Sequence, residues 1–222
     1  HYNNIVATQW LDRNTLRPVF CTDDAEFGTS PQNMSTSTVA DELKISTKGA
    51  AIVYSVAPVK DAAVLSAGHA ADGAFWVNDV TGQWTTSEYY SKGAQSLVRT
   101  FNNATSKRVT GDNDAVADLS VTCVNKMGMG RDHITDMLSV TLSAKGTEPT
   151  MWQSEMEVIY VKLDQTIASL IKRIEDKVGS DKVMFVLTST GYVDEQPVDY
   201  QRFRIPSGTF YINRTANLLN MY

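Results

Sequence analysis

The chain has 222 residues, 42% of them hydrophobic, 9% aromatic and 20% charged. That is a globular composition with length for one sizeable core, and it excludes a disordered tail, a collagen repeat and a disulfide mini-protein. Twenty Lys and Arg against 25 Asp and Glu leave a formal charge of −5, which excludes the basic footprint of a nucleic-acid binder or of a protein adsorbed on anionic lipid. The longest apolar runs, such as Val183 to Leu187, are strand-sized and far too short to span a bilayer. Cys21 and Cys123 match no metal-ligand spacing, and the sequence leaves their pairing open.

The chain begins at His1 with neither an initiator Met nor a charged leader, and Thr215 to Tyr222 stops inside an amphipathic pattern. It reads as a fragment or processed product of a longer protein. Residues 1–35 are polar, with an acidic loop around Asp23, Asp24 and Glu26, and predict mostly loop with a short strand near Val19–Phe20. Ser35 or Thr36 is the expected cap of a helix reaching about Ser46, with Val39, Ala40 and Leu43 on one face and Gly49 ending it. Ala51 to Val56 is a β-branched run of the buried parallel kind, closed by Pro58. The segments 74–77 and 84–90 flank a polar turn and predict a β-hairpin.

A helix over roughly 94–101 follows, then another from a cap at Asp112 or Asp114 to Met127, where Gly128 and Gly130 break it. Asp136 to Ser143 predicts a second buried strand. Trp152, Met156, Ile159, Tyr160, Leu163, Ile167, Leu170, Ile171, Ile174 and Val178 keep three-and-four spacing, the strongest helix signal in the chain. Val183 to Thr188 predicts a third buried strand. Apolar strands separated by helices point to one α/β domain over 1–222 around a largely parallel sheet, with a hairpin or cap-like excursion at about 74–130.

The candidate motifs have plain structural readings. His69, after Gly68, reads as a hydrogen-bonded structural residue, because a three-histidine metal site would need His1, His69 and His133 to converge. Asp132, His133 and Asp136 match no common ligand spacing. Asp112-Asn113-Asp114 lacks the glycine and bidentate glutamate of a calcium loop, so capping accounts for it better. Gly128-Met129-Gly130-Arg131 is a weak anion nest and a good helix stop. The pairs Asp23-Asp24 and Asp194-Glu195 read as solvated loops. The sequons at Asn33, Asn103 and Asn213 arise easily in an Asn- and Thr-rich chain.

Several stretches together resemble the alkaline phosphatase superfamily: His1 to Arg13, Asn33 to Leu43, Lys60 to His69, Trp84 to Tyr90, Tyr160 to Asp164 and Gly208 to Arg214. The similarity is to its branch of type I phosphodiesterases/nucleotide pyrophosphatases and periplasmic alkaline phosphatases, and it runs in order along nearly the whole chain. It implies an α/β fold, two zinc ions held by Asp and His, a Ser or Thr nucleophile, and a periplasmic or exported location. The nucleophile segment and the first Asp ligand lie upstream of the matching region, and the last His lies beyond Tyr222. The ligand positions after the second strand carry Gly146 and Thr150, and those after the third carry Thr190 and Gly191. The phosphate-contacting Lys and Arg align with Val59 and Asp61, and the substrate-contacting Asn falls on Thr8 or Gln9. A one-residue shift brings in Lys60 or Glu148 but supplies no histidine.

Ser, Thr and Gly do not replace the carboxylate and imidazole donors of a dinuclear zinc site. The reading is therefore a noncatalytic, phosphatase-like binding or structural module that needs no cofactor and takes a protein partner or a phosphorylated ligand. The alternative is a zinc-dependent phosphoester hydrolase whose site is rebuilt around His69, Asp132 and His133 or completed by residues outside this chain.

Overall fold

A computed structural model describes residues 3–105, 112–144, 152–189, 204–206 and 218. The chain divides into two compact units, His1–Phe185 and Val186–Tyr222.

The first unit opens with two small antiparallel ribbons. β1 (Gln9–Leu11) pairs with β2 (Pro18–Phe20), and β3 (Asp23–Asp24) with β4 (Gly28–Thr29). The expected strand at Val19–Phe20 is thus one arm of a hairpin. Its turn is held by Asp12, whose Oδ1 accepts from the amides of Asn14 and Thr15 and from the Thr15 hydroxyl.

α1 (Val39–Ser46) is capped by Thr38 rather than by Ser35 or Thr36. Thr38 Oγ1 accepts from the Asp41 amide, and the Asp41 carboxylate accepts from the Thr38 amide at 2.8 Å. A cap wins when its third neighbour can answer it, and only Thr38 has an acid there. The expected apolar face is shifted as well, since Val39 is exposed while Ala40 is buried and Leu43 half-buried.

Four strands form the central sheet in the order β7–β6–β5–β8. β5 (Val53–Val56) lies between β6 (Gly73–Val77) and β8 (Met137–Val140), parallel to both, and β7 (Trp84–Thr85) runs antiparallel to β6. The hairpin forms as expected, but its second arm is two residues long. Ser87 then turns away, its hydroxyl donating to the carbonyl of Thr29 at 2.5 Å.

α2 (Lys60–Ala67) links β5 to β6, which the element pattern alone did not mark. α3 (Lys92–Thr105) and α4 (Asn113–Met127) follow, the first longer than expected and the second capped by Asp112 and stopped by Gly128 in the left-handed region. α5 (Trp152–Val178) matches the long periodic segment. It packs on α4 through Leu170 and Ile174 against Ala117 and Val121. Thr166 Oγ1 donates to Asp114 Oδ1 at 2.6 Å, and Arg173 Nη1 lies 2.8 Å from Asp118 Oδ1. The core holds Val56, Val64, Phe75, Trp84, Val116 and Leu119, each apolar side chain of this size stabilising the fold by about 1.5–3 kcal/mol on burial.

One expected strand is not formed. Residues 183–189 carry no ladder, and Met184 and Leu187 are 85% and 82% exposed. A β-prone run becomes a strand only where another strand receives its amides and carbonyls. Among the described residues, β8 is paired on its β5 side alone, and nothing pairs with 183–189. The few described residues of the second unit contain no strand.

Candidate functional site

In an open α/β sheet, ligands sit in the crevice beyond the carboxyl ends of the parallel strands. Here those ends are Val56, Val77 and Val140. β5 leads through Ala57 and Pro58 to Val59 at the start of α2. Beyond β8, the Thr141 amide donates to the carbonyl of Val56, and Ser143 meets the side chain of Asn113. Asn113 Nδ2 donates to the Ser143 carbonyl and its Oδ1 accepts from the Ser143 amide, both at 2.8 Å. The first residue of α4 thereby acts as a side-chain strand and fixes the path into the segment that carries Gly146. Gly146, Thr150, Thr190 and Gly191 themselves lie outside the described residues.

The structure brings Thr8, Gln9 and Asp61 to this same mouth. The Cys21 amide donates to the carbonyl of Thr8, extending the β1–β2 ribbon, and Gln9 stands opposite Phe20. Next along the chain, Thr22 Oγ1 donates to Asp61 Oδ1 at 2.9 Å. Thr22 is buried, and Asp61 sits in the first turn of α2, where negative charge suits the helix dipole. Lys60 Nζ lies 5.8 Å from the centre of the Phe20 ring, a cation–π contact. Val59 is exposed and offers no side-chain cap to α2. Asp61 is thus an acid already bonded to a threonine, and Val59, two residues before it, is exposed.

Cys21 is no nucleophile in this setting. Burial, together with the nearby Asp61 carboxylate, pushes its thiol up to about 11, so the thiolate is scarce at neutral pH. Cys123 is driven up further by burial alone, and both thiols are free.

The candidate histidines stand at the other end of the strands. His69 follows α2 and precedes β6, with Nδ1 3.2 Å from Asp41 Oδ2 and Nε2 2.9 Å from the carbonyl of Met34. His133 is exposed in the turn before β8. Asp132 accepts from the Ile134 amide at 2.8 Å, and Asp136 accepts from the amides of Ile52 and Gly130, both at 2.7 Å. These groups tie the amino ends of β5 and β8 together. A four-residue strand, about 13 Å long by its rise per residue, separates them from the mouth at Val59. Asp112 is spent on capping Ala115, Asp24 on the Glu26 and Phe27 amides and the Ser30 hydroxyl, and Asn33 Nδ2 on the carbonyls of Phe20, Cys21 and Asp23. Asn103 is exposed on the last turn of α3. Asp194, Glu195, Asn213 and His1 lie outside the described residues. Among the described residues, no three His, Cys, Asp or Glu side chains are grouped closely enough to hold a metal, and no helix is long and apolar enough to cross a membrane.

Asp41 joins His69 to the first helix. Burial by itself raises its carboxyl, but the amides of Thr38 and Ala70, then His69 and the Thr38 hydroxyl, outweigh that and hold it below the usual carboxylate range. A carboxyl depressed in the folded state contributes stability above its unfolded value, near 4, and loses it as pH falls through the folded value. Acid titration followed by near-ultraviolet circular dichroism therefore shows α1 and the loop at His69 loosening below about pH 4. An Asp41→Asn variant lacks that component of the transition. Sequence reading missed Asp41, Asn113 and Thr22; the T-x-x-D spacing was a local signal for the first, whereas the other two act across the fold.

The sequence profile of the type I phosphodiesterase / nucleotide pyrophosphatase family matches residues 1–212. Alkaline phosphatase PafA of Elizabethkingia meningoseptica is 25% identical over 278 aligned positions, covering 94% of this chain and 51% of the relative. Alkaline phosphatase PhoV of Synechococcus elongatus is 34% identical over 110, covering 45% of this chain and 20% of the relative. A crystal structure of a PafA mutant superposes with a TM-score of 0.69 at 24% identity, over 80% of this chain and 48% of that one; wild-type PafA gives 0.64 over 78% and 46%. The two crystal structures establish the fold alone, and the chain spans about half the length of PafA. On the profile match over residues 1–212, the chain belongs to the type I phosphodiesterase / nucleotide pyrophosphatase family, with the fold of the alkaline phosphatases.

Proposed function

We propose that this chain is a noncatalytic member of its family, a phosphatase-like scaffold that serves as a binding or structural module of an exported protein. One observation carries the reading: the four positions that the resemblance assigns to metal ligands hold Gly146, Thr150, Thr190 and Gly191. Two zinc ions need carboxylate and imidazole donors at adjoining strand ends, and this donor set does not fit them. The mouth at β5 supports the same reading. Asp61 sets a negative charge, held by Thr22, where a phosphoryl group would need a cation. His69 is engaged by Asp41 and Met34 at the opposite end of the sheet, which weighs against a site rebuilt around it.

The test uses full-length protein, loaded with zinc, dialysed, and assayed for metal by mass spectrometry beside phosphomonoester and phosphodiester substrates. The expected result is substoichiometric zinc and no turnover above the uncatalysed rate. Two zinc ions per chain with turnover overturn the proposal and favour a hydrolase completed by residues outside this chain. A phosphorylated ligand of the module would show in a thermal-shift screen, since saturation at a hundred times Kd adds about 2.7 kcal/mol.

A further inference from the structure

His69 stands between two acceptors. Its Nδ1 lies 3.2 Å from Asp41 Oδ2 and its Nε2 2.9 Å from the carbonyl oxygen of Met34. The carbonyl has no proton to give, and Asp41 is committed as an acceptor. Its Oδ2 receives the Thr38 amide and hydroxyl, and its Oδ1 the Ala70 amide. A neutral imidazole has one N–H and one lone pair, so it donates to one of these neighbours and turns a lone pair on the other. The imidazolium donates to both. The side chain is 36% exposed, so its proton exchanges with solvent.

The charged groups around the ring leave the proton to His69. On α1, burial raises the Asp41 carboxyl, but its amide and hydroxyl donors together with His69 outweigh that and keep it ionised. Lys44, a turn further on, is paired with Asp72 at 2.7 Å. Tyr89 donates its hydroxyl to the His69 carbonyl at 2.7 Å, and burial, then Asp41 and Asp24, raise its phenol, so it stays neutral. Residues 30–37, which bring Met34 to the ring, hold no titratable side chain. The same bonds decide which partner yields. Asp41 is fixed by Thr38 and Ala70, and the His69 backbone by Tyr89. A carboxylate is also the stronger acceptor. The neutral ring therefore keeps Nδ1–H on Asp41 and sets its Nε2 lone pair against the Met34 carbonyl. Next to Met34, Asn33 Nδ2 holds the carbonyls of Phe20, Cys21 and Asp23, the stretch whose Thr22 grips Asp61. We infer that His69 is a proton-operated clasp: charged, it binds Met34 to Asp41; uncharged, it keeps Asp41, releases Met34 and, through Asn33, loosens the backbone of residues 20–23 at the mouth.

Histidine is the side chain whose charge changes in the neutral range, so isotope-labelled full-length protein is followed by NMR from about pH 5 to 9. His69→Gln and His133→Gln variants assign the ring signals. At the acid end both ring nitrogens of His69 are expected to carry protons. As pH rises, Nε2 alone loses its proton, and the signals of the Met34 carbonyl and the Asn33 side-chain amide move with the same midpoint. Titration of His133, exposed in the turn before β8, leaves both signals unmoved. In His69→Gln their movement with pH is lost. A His69 ring whose protonation does not change over the range overturns the inference, as does one that keeps Nε2–H and gives up Nδ1–H. So does a Met34 carbonyl signal that ignores the ring titration, or one that still moves in His69→Gln. All but the last of these outcomes are read on the parent protein, so they decide the matter even if the variant does not fold. None of them depends on turnover of a phosphoester.

Discussion

Phe75→Ala lowers the stability of the α/β unit by about 4 kcal/mol, the upper part of the range for emptying a buried aromatic site. Phe75 lies in β6 with 0% exposure. Its ring stacks on Tyr54 of β5 with centroids 5.6 Å apart and an interplanar angle of 10°. The cavity left behind cannot collapse easily, because its walls are two paired strands and the buried faces of α2, α3 and α4. For a unit of this size, each kcal/mol moves the melting temperature by about 2–4 °C, so the expected fall is about 8–16 °C. Calorimetry reads it directly. A fall of under about 3 °C would correspond to less than about 1.5 kcal/mol and would place Phe75 outside the core.

Asp41→Ala is expected to cost about 3 kcal/mol, although it changes one polar side chain. Asp41 is 4% exposed, and its carboxylate serves the Thr38 amide and hydroxyl, the Ala70 amide and His69. Alanine removes the capping box, worth about 1 kcal/mol. It also strands the buried Ala70 amide, at about 1–3 kcal/mol more. The surroundings are tight as well. A Cβ on Gly68, whose φ is +78°, would come within 2.7 Å of Asp41 Oδ2, so neither residue has a free substitute. Asp41→Asn keeps the volume and part of the acceptor set and is expected to cost about half as much. Hydrogen exchange at the Ala70 amide is the specific readout: it quickens in both variants, and a protected Ala70 amide in Asp41→Ala would refute the assignment.

The sequence alone determined the elements whose cause is local. α5 follows from a period of 3.6 kept over many turns, α4 from Asp112 before it and Gly128 after it, and the β6–β7 hairpin from two apolar arms around a polar turn. The proposal of a lost metal site likewise rests on residue type alone, since Gly146 and Gly191 carry no side-chain donor in any fold. What the tertiary structure decided is everything that needs a partner distant in sequence. Val183 to Leu187 has the composition of a buried strand yet carries no ladder, since strand formation depends on a neighbouring edge, and periodicity contains no information about edges. Thr38 caps α1 in place of Ser35 or Thr36 for a local reason, the acid three residues on, and the tertiary structure adds the Ala70 amide and His69, which bind that acid from across the fold. Asp61 and Thr22, 39 positions apart, meet only because the β1–β2 ribbon lies over the start of α2. His69 could have served a metal or the fold, and it serves the fold because the chain sets a carboxylate and a carbonyl against its two ring nitrogens.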